Sequence, residues 1–180
     1  MTLDDALSFN REFVRSKQYE KYSAGKYPHK KIAILSCMDA RLTELVPAAL
    51  GFKNGDVKII KNAGAVLSAP FGSVIRSMIV AVYTLGVEEI WVIGHHDCGM
   101  QNLNSEVILE KMRARGISMD FVEWMKFAGT DFHQWMSGFG NVEDSVRSTV
   151  ETIAKHPLIP RDVSVVGMVM DPETGEVILV

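Results

Sequence analysis

At 180 residues the chain suits one domain, residues 1–180, with a full core of its own. It is 47% hydrophobic and 23% charged, ordinary for a soluble globular protein, and its net charge of -3 argues against a broad nucleic-acid surface. No apolar run is long enough to span a bilayer (the longest candidate is 78–85), and the acidic start Met1-Thr2-Leu3-Asp4-Asp5 is unlike a secretory leader, so no membrane partner and a cytoplasmic, reducing setting are expected.

Thr2 can cap a first helix whose opening turn carries Asp4 and Asp5, where carboxylates meet the positive end of the helix dipole. Leu3, Leu7 and Val14 share one face, and the helix should end within 16–19. Its apolar face could pack on its own domain or on a neighbouring subunit. A loop with Gly25 and Pro28 follows. Residues 31–36 (KIAILS) read as the first strand, with Cys37 at its end. A short helix over 42–50, Pro47 near its start, leads to the second strand, 57–61 (VKIIK). Asn62-Ala63-Gly64-Ala65 makes a tight loop. Residues 73–85 form a helix capped by Ser73, stopped by Gly86, and apolar almost all round, as in a helix buried on most sides.

The third strand is 90–93 (IWVI), ending at Gly94. Beyond it, 107–115 and 119–127 look helical. The aromatic and Met-rich set Phe121, Trp124, Met125, Phe127, Phe132, Trp135, Met136 and Phe139 is read as core or subunit-interface packing rather than a ligand lining. Residues 142–155 form a clear helix, with Val142, Val146, Val150 and Ile153 on one face. Residues 163–170 make the fourth strand, and a turn at 171–175 returns 176–180 as an antiparallel edge strand. Strands alternating with helices give an α/β fold: a mostly parallel central sheet, order 2-1-3-4 plus the antiparallel terminal strand, flanked by helices. In that order the strands ending at Cys37 and Gly94 are neighbours, with the reversal of strand order between them, where ligands bind in such sheets.

Both cysteines lie in the two turns this topology brings together, Ser36-Cys37-Met38-Asp39-Ala40-Arg41 and Gly94-His95-His96-Asp97-Cys98-Gly99. Cys37, His95 and Cys98 make a three-ligand zinc set with one position left for water. Zinc lowers the pKa of bound water from its bulk value to about 7 in favourable sites, but two thiolates work against that acidity. Asp39 can accept a hydrogen bond from the bound hydroxide and aim its lone pair, and Arg41 can hold Asp39 ionised and oriented. Without that partner Asp39 could ligate the metal itself and close the site. A lone H-x-x-C or Asp/Arg pair would be weak evidence; both cysteines in site-like turns with that pair beside them are much stronger. His96 should point away from the metal, Asp97 should cap the turn or the following helix, and His29, His133 and His156 read as surface or capping residues.

At these residues the chain resembles the β-class carbonic anhydrases, in their compact branch. The family's C-x-D-x-R is Cys37-Met38-Asp39-Ala40-Arg41, and its H-x-x-C is His95-His96-Asp97-Cys98. The likeness extends through Lys61-Asn62-Ala63-Gly64, the 72–86 helix, Asp97-Cys98-Gly99-Met100 and the terminal hairpin. His96 departs from the small hydroxyl residue common there, and 101–140 matches only loosely. The resemblance implies one zinc per chain on Cys37, His95 and Cys98. It implies an Asp39–Arg41 dyad that keeps the fourth position for water, with Asp39 a conditional fourth ligand in a closed state. Zinc hydroxide would attack CO2 and release bicarbonate and a proton. The loop at 62–64 and the Gly99 backbone would lie near the pocket. The unit would be a homodimer, possibly paired into a tetramer. Two other functions compete: a related zinc hydrolase acting on CS2 or COS, and a non-catalytic zinc-binding protein of the same fold.

Overall fold

The computed structural model describes residues 1–180. Five strands form one sheet in the order β2-β1-β3-β4-β5: β1 (Ile32–Cys37), β2 (Val57–Asn62), β3 (Glu89–His95), β4 (Ser164–Met170) and β5 (Val177–Leu179). The first four are parallel and β5 runs antiparallel against β4. The order and the antiparallel edge are those the pattern predicts; β2 gains Asn62 and β3 extends beyond its apolar run at both ends, whereas β1, β4 and β5 each begin one residue later than expected. His95 therefore ends β3 rather than following it.

The central strands are buried on both faces, which is why β1 reads as a continuous apolar run. Ala33 and Leu35 join a core with Ile75 and Met78 of α3 (Ser73–Leu85) and Val142 and Val146 of α7 (Val142–Ala154). Ile32, Ile34 and Cys37 join the opposite core, with Leu42 and Val46 of α2 (Leu42–Ala49). Gly94 and Gly167 let α7 lie flush on β3 and β4, because a Cβ at either would stand within 3 Å of a valine methyl on that helix.

Several expectations are corrected. Pro47 lies in the last turn of α2, not near its start. α3 buries only Ile75, Met78 and Ala81 and exposes Val80 and Tyr83, so its all-round apolar character leaves an outer face uncovered by this chain. The residue before it in cap position is Gly72, and Ser73 is its first helical residue. α1 (Leu3–Arg15) has the Thr2–Asp5 capping box, yet none of its residues is buried. Residues 101–140 carry α4 (Ser105–Ala114), α5 (Asp120–Phe127) and an unforeseen one-turn α6 (Phe132–Trp135). Of the aromatic set, Phe132 is buried against Phe121 and Trp135, whereas Trp124 and Phe127 are exposed.

Candidate metal centre

Cys37 and His95 are the last residues of adjacent parallel strands, and Cys98 follows in the turn after β3. Strand polarity thus delivers all three to one end of the sheet at the reversal of order. Their ligand atoms lie within 4.8 Å of one another and all three residues are buried. The two sulfurs are 3.8 Å apart. Tetrahedral zinc with Zn–S bonds of about 2.3 Å requires a separation of about 3.8 Å.

The histidine is prepared for the same task. His95 Nδ1 donates to the His96 carbonyl oxygen at 2.8 Å, which fixes the tautomer and leaves Nε2 as an acceptor. Nε2 is buried and has no hydrogen-bond partner. A buried, unpartnered nitrogen is costly unless something binds it, and this one faces two sulfurs. The donor set and its spacing fit zinc.

Backbone donors surround the thiols. Gly64 N–H donates to Cys37 Sγ at 3.3 Å from a short 3-10 turn, Ala63–Ala65. Gly64 has φ +81°, and a Cβ there would come within 3.1 Å of Met100 and Phe139. Burial pushes the Cys37 thiol up, but the adjacent His95 imidazole and the Asp39 and Gly64 N–H groups outweigh it, and the net shift is downward. Cys98 shifts upward, through burial and then its ionised neighbour, against one N–H bond from Met100. The metal-free pair therefore shares one readily lost proton and one firmly held. His95 is raised: burial opposes this, and the neighbouring Cys37 sulfur and the bond to the His96 carbonyl outweigh it.

Asp39 lies beside this cluster, its Oδ2 at 3.9 Å from His95 Nε2. Arg41 Nε and Nη2 donate to Asp39 Oδ1 and Oδ2 at 3.1 and 2.8 Å, and the Arg41 backbone N–H donates to Oδ1 at 2.9 Å. Those bonds hold the Asp39 carboxyl far below the usual carboxylate range. The same guanidinium reaches Asp97, which therefore pairs across the site instead of capping the turn. Its proximity to Cys98 in sequence was the one available signal for a site role. His96 is exposed, as expected. His156 is not a surface residue: it is buried, with Nε2 on the Pro70 carbonyl and Nδ1 accepting from the Leu158 N–H. His29 and His133 are exposed and near Asp56 and Glu106. A cavity of about 760 Å³ opens between the 62–68 loop and residues 129–139, lined by Asn62, Ala63, Met100, Trp135 and Phe139 among others.

Fold and site together define an α/β protein with a centre able to hold a metal at the switch point of its sheet. The carbonic anhydrase family pattern matches residues 32–177. The Bacillus subtilis protein YtiB, provisionally named a carbonic anhydrase, is 53% identical over 178 residues, covering 99% of this chain and 95% of that one. The β-carbonic anhydrase isoform I of Trichomonas vaginalis superposes with a TM-score of 0.88 at 28% identity, covering 99% of this chain and 97% of the other. A carbon disulfide hydrolase of Acidithiobacillus thiooxidans is 29% identical over 155 residues, 82% of this chain and 75% of that protein. The chain belongs to the β-class carbonic anhydrase family of enzymes. No helix is long and apolar enough to cross a membrane.

Proposed function

We propose that the protein catalyses the reversible hydration of CO2 to bicarbonate and a proton, with one zinc held by Cys37, His95 and Cys98. The observation that carries this reading is the buried, unpartnered His95 Nε2 facing two sulfurs, with an ionised Asp39 beside it. Zinc, when bound, supplies the Lewis acidity that makes water nucleophilic near neutral pH. The chain's residues do the rest. Asp39 accepts a hydrogen bond from the attacking water and orients it towards the carbon of CO2. Arg41 keeps that carboxylate ionised and occupied, so that it does not take the substrate's place. Gly64 N–H on Cys37 Sγ draws charge off one thiolate and partly offsets its electron donation.

The thiolate ligands suit a reducing, cytoplasmic compartment. A second copy of the chain is the proposed partner: Leu3, Leu7 and Val14 on the amphipathic α1 and Val80 and Tyr83 on the uncovered outer face of α3 are exposed apolar positions. Light scattering would separate a dimer from a tetramer.

Stopped-flow CO2 hydration across pH, with zinc measured in the same sample, tests the reading. Rapid hydration that is lost in Cys98→Ser and Asp39→Ala is the expected result. One zinc per chain with no hydration at any pH would refute it. Sulfide release from CS2 in that case would assign the site to the chemistry named for the Acidithiobacillus relative, and inertness in both assays to a closed, non-catalytic shell.

A further inference from the structure

Arg41 grips two loops at once. One edge of its guanidinium is spent on Asp39 through Nε and Nη2. On the other edge Nη1 donates to Asp97 Oδ2 at 2.9 Å, and Nη2 donates also to the Asp97 carbonyl oxygen at 3.0 Å. Four of the five guanidinium N–H groups are thereby engaged, in a planar fork fixed from both sides. Asp97 lies in the turn between His95 and Cys98, whereas Arg41 and Asp39 follow Cys37. The contact therefore crosses between the two loops that carry the candidate ligands. Asp97 has φ +52°, in the left-handed region that Asp and Asn tolerate better than most residues. In that conformation its carboxylate and its carbonyl both reach one guanidinium.

We propose that Asp97 is a positioning residue: it anchors Arg41 from the loop after β3, and through Arg41 restrains Asp39 from closing on the metal. The inference rests on the functional reading above. Asp39 Oδ2, at 3.9 Å from His95 Nε2, is close enough for a side-chain rotation to bring it onto a metal held there. Arg41 is what opposes that rotation, and an Arg41 held only by Asp39 could move with it. Asp97 supplies the fixed point. Its side chain is 84% exposed and that of Arg41 40%, so the anchor biases the open state by at most about fivefold.

Three proteins separate the possibilities: wild type, Asp97→Gly and Asp97→Asn, each loaded with cobalt in place of zinc. Glycine keeps the left-handed backbone and removes the carboxylate; asparagine keeps one acceptor oxygen and tolerates that backbone. The visible spectrum is followed while thiocyanate, an anion that needs a vacant metal position, is titrated in. Asp97→Gly is expected to bind thiocyanate about three- to fivefold more weakly at unchanged metal content, with Asp97→Asn between it and wild type. In an Arg41→Lys background, Asp97→Gly is expected to add no further weakening, because its effect passes through Arg41. Wild-type thiocyanate affinity in Asp97→Gly, loss of its metal, or full additivity with Arg41→Lys would each overturn the proposal alone. Failure of cobalt-loaded wild type to bind thiocyanate would overturn the open-site reading, and the proposal with it.

Discussion

Gly94 precedes His95 and lies directly beneath α7, so a single methyl there probes both packing and the site. A Cβ at Gly94 would stand 2.7 Å from Val146 Cγ2 and 2.8 Å from Val142 Cγ2, about 1 Å inside normal carbon–carbon contact. Both valines are buried, and their branched side chains have one strongly preferred helical rotamer, so neither can swing aside. β3 is held on both sides, Gly94 being paired with Val169 of β4 and Ile93 with Ser36 of β1. The helix must therefore retreat. Overpacking of this kind costs about 1–3 kcal/mol. Urea unfolding of Gly94→Ala should show that loss at an unchanged m-value. Val146→Ala removes one of the two clashing methyls, and in Gly94→Ala it should recover about 1 kcal/mol relative to the sum of the single changes. Gly94→Ala within about 0.5 kcal/mol of wild type, or strict additivity with Val146→Ala, would refute the close-packing argument.

Cys98→Ser should lower zinc content at equal free metal, with affinity at least about tenfold weaker by competition with a chromophoric chelator, because a thiolate ligand is replaced by a poor donor. Arg41→Ala should keep its zinc but lose most of its hydration rate at neutral pH, at least about tenfold, with a crystal structure showing Asp39 on the metal. In metal-free protein the depressed pKa of Asp39 stabilises the fold above its unfolded value of about 4; that contribution falls away as pH drops below about 4 and is gone once the native carboxyl is protonated. The stability gap between wild type and Asp39→Asn should therefore be present at pH 7 and vanish in strong acid. Zinc uptake must strip protons from the thiols. With Cys37 shifted down and Cys98 and His95 up, about one proton per chain should be released at mildly alkaline pH and about three in mild acid, where the His95 imidazolium also gives up its proton, read by a pH indicator in weak buffer.

Much of the architecture was legible in the chain because its cause is local. The apolar runs of β1 and β3, the Thr2 cap and the left-handed stop at Gly86 act through neighbours in sequence, and the alternation of strands and helices restricts the order of the sheet. Where reading failed, a distant partner decided. α3 is apolar nearly all round, and only packing shows which residues this chain buries. His156 is buried where the carbonyl of Pro70, far away in sequence, accepts a hydrogen bond from its Nε2. α6 is too short for periodicity to reveal and rests on Phe132 packing into its neighbours.

The candidate site divides in the same way. Residue types and spacing alone supplied Cys37, Asp39, Arg41, His95 and Cys98, since thiolate, imidazole and a paired carboxylate are chemical properties of the side chains. The 3.8 Å between sulfurs, the tautomer of His95, the Gly64 N–H on Cys37 and the bond from Arg41 to Asp97 belong to the fold alone. Each depends on the relative placement of strand ends and turns that are remote in sequence, and that placement is fixed by the parallel register of β1 between β2 and β3.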